Sequence, residues 1–232
     1  MAYNFKNPED VEAYLKNIYL EYRFSCEGEK DPKACHLLGE YEDAIKTDRE
    51  KSVNIFKENC DERNWAPSCL KYAGMRAHGA GSEKDLTTAY NYMKKTCDLG
   101  NGTGCVRGGI ILLMKEFKLM TDRAEQIKLG MEMISKACYK HDVEEGCFQL
   151  ASIYLGGLKQ NVQPNFEEAH KLFLKSCEQK NPYACANLSR MYLLGDGIPK
   201  NEVLSEAFKR KAEVLMREMK EYSKQVEFGV TN

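Results

Sequence analysis

Ten cysteines are the residues of this 232-residue chain best placed to do chemistry. They fall into five pairs, Cys26/Cys35, Cys60/Cys69, Cys97/Cys105, Cys138/Cys147 and Cys177/Cys185, with offsets of 9, 9, 8, 9 and 8 residues. The first members stand 34, 37, 41 and 39 residues apart. A near-constant offset inside a slower period means one cysteine pair per repeated structural unit. Paired cysteines can form disulfides, ligate a metal or exchange with other thiols. Zinc sites favour closely spaced ligands. The chain has no CxxC, and His36, His78, His141 and His170 do not recur with the cysteines, so no metal is expected. The CxxCH haem box and the CxxC redox motif are also absent. Disulfides are the expectation, each pair bonded to itself.

The elements that must position these pairs are helices. In Asp85–Cys97, the residues Leu86, Ala89, Tyr90, Met93 and Cys97 sit at i, i+3, i+4, i+7 and i+11, one face of a helix. Phe166, Ala169, His170, Phe173 and Cys177 repeat those offsets, and Leu204, Ala207 and Phe208 begin them again. The stretches after Cys69 and Cys185 carry another short helical pattern that ends in Gly79-Ala80-Gly81 and Gly195-Asp196-Gly197. Those glycines, with Gly156 and Gly157, lie where a helix ends and the chain needs positive φ. Asp85 and Asn165 are placed as N-caps, and Pro67 and Pro182 suit the first turn of a helix. Each unit therefore reads as helix, turn, helix, then a short connection. The unit at 33–60 lacks the glycine turn, and the unit at 103–138 has a longer first helix. A hairpin of this kind buries its apolar face only against its neighbours. The expected fold is all-α, a right-handed α-solenoid of five helix-turn-helix repeats with a concave face.

In that arrangement the first cysteine of each pair closes one helix and the second begins the next. Seven or eight residues rich in turn formers lie between them, which brings the Cα atoms toward the ~5.5–6 Å a disulfide requires. Closing a ring of about ten residues contributes roughly 2.5–3 kcal/mol in the loop-entropy model.

Composition excludes several function classes. The chain has 34 basic and 35 acidic residues, so its net charge of −1 offers no basic field for nucleic acid or anionic lipid. With 43% hydrophobic residues it is not a disordered chain. Its longest apolar run, Ile110–Met114, is far short of the ~18 residues of a spanning helix, so no membrane insertion is expected. Disulfides imply an oxidising compartment. Met1 to Cys26 lacks a basic region followed by an apolar one, and Glu9, Asp10, Glu12 and Glu21 make it acidic, unlike a secretory signal or an arginine-rich presequence. The mitochondrial intermembrane space, where oxidative trapping of paired cysteines in helical hairpins drives import, is the expected location.

The unit from Ala66-Pro67-Ser68-Cys69 to Cys97-Asp98-Leu99-Gly100 resembles a Sel1-like repeat, and the chain resembles the cysteine-rich subtype of that family over nearly its whole length. On that resemblance it divides into an N-terminal helix and connection (1–32), five repeats (33–66, 67–102, 103–143, 144–181 and 182–222) and a C-terminal tail (223–232). Glu29-Lys30-Asp31-Pro32 before Cys35, and Cys177 to Gly197, are similar to a mitochondrial branch of the subtype. The likeness implies a soluble, non-enzymatic factor of the intermembrane space that assembles respiratory complexes, chiefly complex IV. It acts as a monomeric protein-binding scaffold and needs no cofactor. Its implied partners are protein clients of that assembly and the oxidative import machinery. The alternative is a haem-binding or thiol–disulfide-active factor that handles copper or haem in the same compartment.

Other residues have types suited to binding or catalysis. Ser68-Cys69-Leu70-Lys71 matches the Ser-x-x-Lys of penicillin-binding enzymes, but 10 serines and 25 lysines give about one such match by chance, and no Lys-Thr-Gly follows. Tyr72, Tyr90, Tyr154, Phe173 and Tyr192 recur at core positions of the repeat. Haem contact would fall to His78, His141 or His170. Trp65, if exposed, is a partner contact. Asn101-Gly102-Thr103 is a glycosylation sequon that is used only in the secretory pathway. Arg217 to Lys224 reads as a solvated helix end. Five staples of this size rival a whole domain's net stability of ~5–15 kcal/mol. Reduction is therefore expected to loosen or unfold the chain, as a collapse of the far-ultraviolet circular dichroism melt in the presence of a phosphine reductant.

Overall fold

The computed structural model describes residues 3–158 and 161–228, with side chains described as far as 223. The expected tail (223–232) lies outside the described residues from 229 onward. Eleven α-helices account for most of the described chain: α1 (Pro8–Glu27), α2 (Pro32–Ala44), α3 (Arg49–Arg63), α4 (Ala66–His78), α5 (Leu86–Asp98), α6 (Gly102–Leu113), α7 (Arg123–Tyr139), α8 (Glu144–Gly156), α9 (Phe166–Glu178), α10 (Pro182–Leu194) and α11 (Glu202–Phe228). Among these residues the β-structure is one isolated bridge, Leu158 to Val162, in the α8–α9 turn. The chain forms two compact units, Met1–Ile111 and Leu112–Asn232. In the first, α1 to α5 pack each against the next, and in the second α7 to α11 do the same.

Helix starts follow local chemistry. The side chains of Asn7, Asp31, Asp48, Asp85, Asp122, Asn165 and Asn181 each accept a backbone N–H of the first turn. Proline stands in the first turn of α1, α2, α4 and α10, where its missing N–H has no helical partner to lose. The two glycines of each Gly-x-Gly turn do different jobs. Gly79 and Gly195 end α4 and α10 in the left-handed conformation, at φ 75° and 78°. Gly81 and Gly197 are left-handed too, and each is also clamped: a Cβ would lie 2.4 Å from the Arg49 carbonyl oxygen at Gly81, and 2.1 Å from the Phe166 Cβ at Gly197. Gly156 differs from the expectation, since α8 runs through it and only Gly157 takes positive φ.

The third hairpin corrects the expectation of a longer first helix. The first helix of that hairpin, α6, is only 12 residues long, and the extra length lies in the segment 114–122 and in the 17-residue α7. The apolar run through Met114, Phe117, Leu119 and Met120 imitates a helical face. It is held in a loop by the buried Gln126. Its Nε2 donates to the Leu112 and Phe117 carbonyls, and its Oε1 accepts from the Leu119 and Met120 N–H groups. Arg123 donates to the carbonyls of Leu112 and Leu113, closing the end of α6 in place of a glycine.

The register of α11 is also corrected. Of the expected face, Phe208 packs inward, but Leu204 is 38% exposed and Ala207 lies on the surface, so the inward-facing positions are Ser205, Phe208 and Ala212. Asn201 caps the helix through the Leu204 N–H, and Ser205 turns inward to donate to the Ser189 carbonyl. Counted from the cap, Lys209 and Glu213 then occupy the positions held by Met93 and Cys97 in α5 and by Phe173 and Cys177 in α9. Both are exposed. These two residues give the outer face of α11 a polar surface, as capping helices of repeat arrays have.

Every connection that carries a cysteine pair contains one left-handed residue: Lys30, Asn64, Gly100, Asp142 and Lys180, at φ 59°, 51°, 88°, 53° and 71°. Each stands five residues before the second cysteine of its pair, so the alternation between offsets of 8 and 9 is absorbed upstream of it. Only Gly100 takes this conformation without steric cost, and a Cβ there would meet nothing. Gly100→Ala is expected to lower stability by about 1 kcal/mol, and Lys180→Gly to raise it by up to about 1 kcal/mol. Denaturant midpoints of the oxidised variants measure both.

Candidate functional site

The structure brings each cysteine pair together. Cys26–Cys35, Cys60–Cys69, Cys97–Cys105, Cys138–Cys147 and Cys177–Cys185 are disulfides with Cα–Cα distances of 4.5, 4.7, 4.6, 4.6 and 4.9 Å. No free cysteine remains among the described residues. All ten are buried, and Cys26, at 9% exposed, is the most accessible. Four of the bridges join the end of one hairpin to the start of the next, and the first joins α1 to α2.

Lysines reinforce two of these junctions. Lys95 Nζ donates to the Cys60 carbonyl at 2.8 Å, and Lys175 Nζ donates to the Cys138 carbonyl at 3.0 Å. Each lysine stands two residues before the first cysteine of its own pair, so it ties the end of one repeat to the end of the repeat before. Tyr92 adds a bond from its hydroxyl to Asp61 (2.8 Å), as Tyr139 does to Glu168 (2.7 Å). Burial and these carboxylates push both phenols above their usual range. Sequence reasoning missed these ties. The signal was present in the Lys-x-Cys repeated at Lys95, Lys136 and Lys175.

The other singled-out residues are not gathered into one constellation. Ser68 is fully buried; its Oγ accepts from Asn59 Nδ2 at 2.7 Å and bonds His36 Nδ1 at 3.0 Å, while Lys71 pairs with Glu40 at 3.1 Å. A serine so enclosed offers no approach to a substrate carbonyl. Burial lowers the basicity of His36. His170, likewise lowered by burial, bonds the Tyr192 hydroxyl at 3.0 Å, and His141 has a buried Nε2 without a hydrogen-bond partner. Among the described residues no three His, Cys, Asp or Glu side chains are grouped so as to hold a metal ion. Tyr72, Tyr90 and Phe173 are buried, whereas Tyr154 and Tyr192 are only half-buried, the latter stacked on Phe208 at 5.6 Å. Trp65 is half-buried with its Nε1 enclosed, so it does not project as an exposed contact. Asn101 accepts the Gly104 N–H in the first turn of α6.

Each unit carries an open groove. In the first, about 470 Å³ is lined by residues of α2, α4 and α6 together with Ala80 and Asn101. In the second, about 730 Å³ lies among residues of α7 and α8 with Asn161 and Val162, including Ile127, Met131, Leu150 and Tyr154. Both have the size of a site for one or a few side chains or a small ligand. Among the described residues no helix is long and apolar enough to cross a membrane.

Stacked helical hairpins with short polar turns define a class, and comparison with known proteins bears this out. The Sel1 repeat model matches residues 66–101, 144–181 and 182–209. A crystal structure of a Sel1 repeat protein from Oxalobacter formigenes superposes with a TM-score of 0.70 over 88% of this chain and 82% of its own, at 17% identity. A protective antigen of uropathogenic Escherichia coli gives 0.69 over 88% of this chain and 46% of its own, at 20% identity. These likenesses show the fold. Over its length the chain is 33% identical to the cytochrome c oxidase assembly factor 7 homolog of Drosophila melanogaster, covering 95% of this chain and 94% of that one. It is 34% identical to cytochrome c oxidase assembly factor 7 of Xenopus tropicalis, covering 97% of each. The chain belongs to this family of assembly factors.

The lysine ties make a direct prediction. Lys95→Met and Lys175→Met are each expected to destabilise by about 1 kcal/mol, and additively, since they serve separate junctions. Urea denaturation of the single and double variants measures both.

Proposed function

We propose that the chain is a soluble assembly factor for respiratory-chain complex IV, acting in the mitochondrial intermembrane space as a non-enzymatic scaffold for protein clients. The observation that carries this reading is identity of 33–34% along almost the whole length with proteins named as cytochrome c oxidase assembly factors. Five buried disulfides support the compartment, because they form and persist where thiols are oxidised. They support the scaffold as well. A surface held by short covalent rings loses little conformational entropy when a client binds. The division into five repeats between 33 and 222 supplies the stacked hairpins, and the oxidative import machinery supplies the pairing.

Depletion of the chain from its own cells is expected to lower assembled complex IV on native gels and to be rescued by re-expression. Protease is expected to reach the chain only after the outer membrane is ruptured, and alkylation to find all ten cysteines blocked. Normal complex IV in depleted cells overturns the assembly role. Ten free thiols in a cytosolic fraction overturn the compartment.

A further inference from the structure

Gly74 sits in the middle of α4, where glycine costs about 1 kcal/mol relative to alanine. Proteins keep such a glycine where a side chain would collide. Gly104 and Gly146 are of that kind: a Cβ would lie 2.6 Å from Thr96 Cγ2 at the first and 2.9 Å from Ala137 Cβ at the second. At Gly74 a Cβ would meet nothing within 4 Å. The fold supplies no reason for this glycine. In the other first helices the fifth residue after the second cysteine is Glu40, Ile110, Ser152 or Arg190, each with a side chain.

The missing side chain leaves open the floor of the first unit's groove, which is apolar at Leu70, Met75 and Ala80. The charged and titratable groups lining it are Lys71, Arg107, His36 and His78, and no carboxylate lines it. Glu40, outside the lining, lies 3.1 Å from Lys71 Nζ and 3.7 Å from His36 Nε2. Arg107 is exposed and has no ion pair among the described residues. Two cations, Lys71 and Arg107, thus line this groove in a chain whose charges otherwise balance to −1.

We propose that this groove is the docking site for an acidic segment of a protein partner, with one apolar side chain of that segment over Gly74 and its carboxylates toward Arg107 and Lys71. The proposal rests on the reading of the chain as a protein-binding scaffold and names the chemistry of what is bound. Apolar contact supplies the seat, and the cations select against neutral and basic segments.

Three fluorescent peptides of about 16 residues test it, with one leucine pattern and with glutamate, glutamine or lysine at the polar positions. Fluorescence anisotropy is measured on the oxidised full chain. The glutamate peptide is expected to bind about tenfold or more tightly than the glutamine peptide, and to weaken with salt. Arg107→Glu is expected to reduce its affinity about tenfold or more. Gly74→Leu is expected to remove binding while leaving the melting temperature unchanged or raised, since the site is open and the helix gains a better former. That stability readout separates a filled groove from a damaged fold. Equal binding of the three peptides, or full binding by Gly74→Leu, overturns the proposal. If Gly74→Leu still restores complex IV to depleted cells, the groove is wrong and the assembly role stands. If depletion leaves complex IV intact, the assembly role fails whatever the peptides do.

Discussion

At each cysteine junction the chain brings the end of one helix to within 4.5–4.9 Å, Cα to Cα, of the start of the next. That is tighter than the ~5.5–6 Å at which most disulfides sit, and the neighbouring residues must give way. The residue before each first cysteine is Ser25, Asn59, Thr96, Ala137 or Ser176, and the residue before each second cysteine is Ala34, Ser68, Gly104, Gly146 or Ala184. Nothing larger than asparagine occurs among them. Asn59 and Ser176 are buried and bonded to their surroundings: Asn59 donates to Ser68 and to the Pro32 carbonyl, and Ser176 donates to Glu144. The left-handed residue five positions before each second cysteine turns the chain so that the crossing can occur. The hairpins stack because these crossings are held.

Much of this was legible in the residues. The paired offsets marked the repeat, the 3.6-residue periodicity of Leu86 to Cys97 marked its second helix, and the Gly-x-Gly turns marked the hairpins. Two features escaped because they depend on contacts distant in sequence. Met114 to Met120 carries apolar residues like those of a helix, but the buried amide of Gln126, bonding four backbone groups, and Arg123 at the end of α6 hold it in a loop. In α11, Leu204 and Ala207 are more apolar than Ser205 yet face outward, while Phe208 packs on Tyr192. The helix orientation is set instead by the bonds from Ser205 to Ser189 and by the cap at Asn201. The grooves could not be read at all, since a cavity is made by what neighbouring helices leave empty. Gly74 looked like any other glycine until the space around it was known.

The disulfides and the first unit's groove belong to one arrangement. The helices that line it begin at Pro32, Ala66 and Gly102, and each starts at a junction: α2 is tied to α1, α4 to α3 and α6 to α5. The spacing of the groove's walls is therefore set by short covalent rings at one end of each helix, and at the other end by turns such as Gly79 to Gly81. Contacts between neighbours carry the rest, as in other repeat arrays, where stability is close to a sum of local terms. A chain of this kind can present a surface without a large central core beneath it.

Lys209 and Glu213 have a consequence for how copies of the chain meet. A stack of similar hairpins ends in a face shaped to receive another hairpin, and a repeated head-to-tail contact that does not close grows into a filament. On α11 the two positions that would seat the next helix carry an ammonium and a carboxylate in place of the Met/Phe and Cys of the inner repeats. A newcomer would have to strip water from both charges without supplying partners for them. Docking another hairpin on this face of α11 therefore costs the desolvation of two charges, a cost that the apolar positions of the inner repeats do not carry.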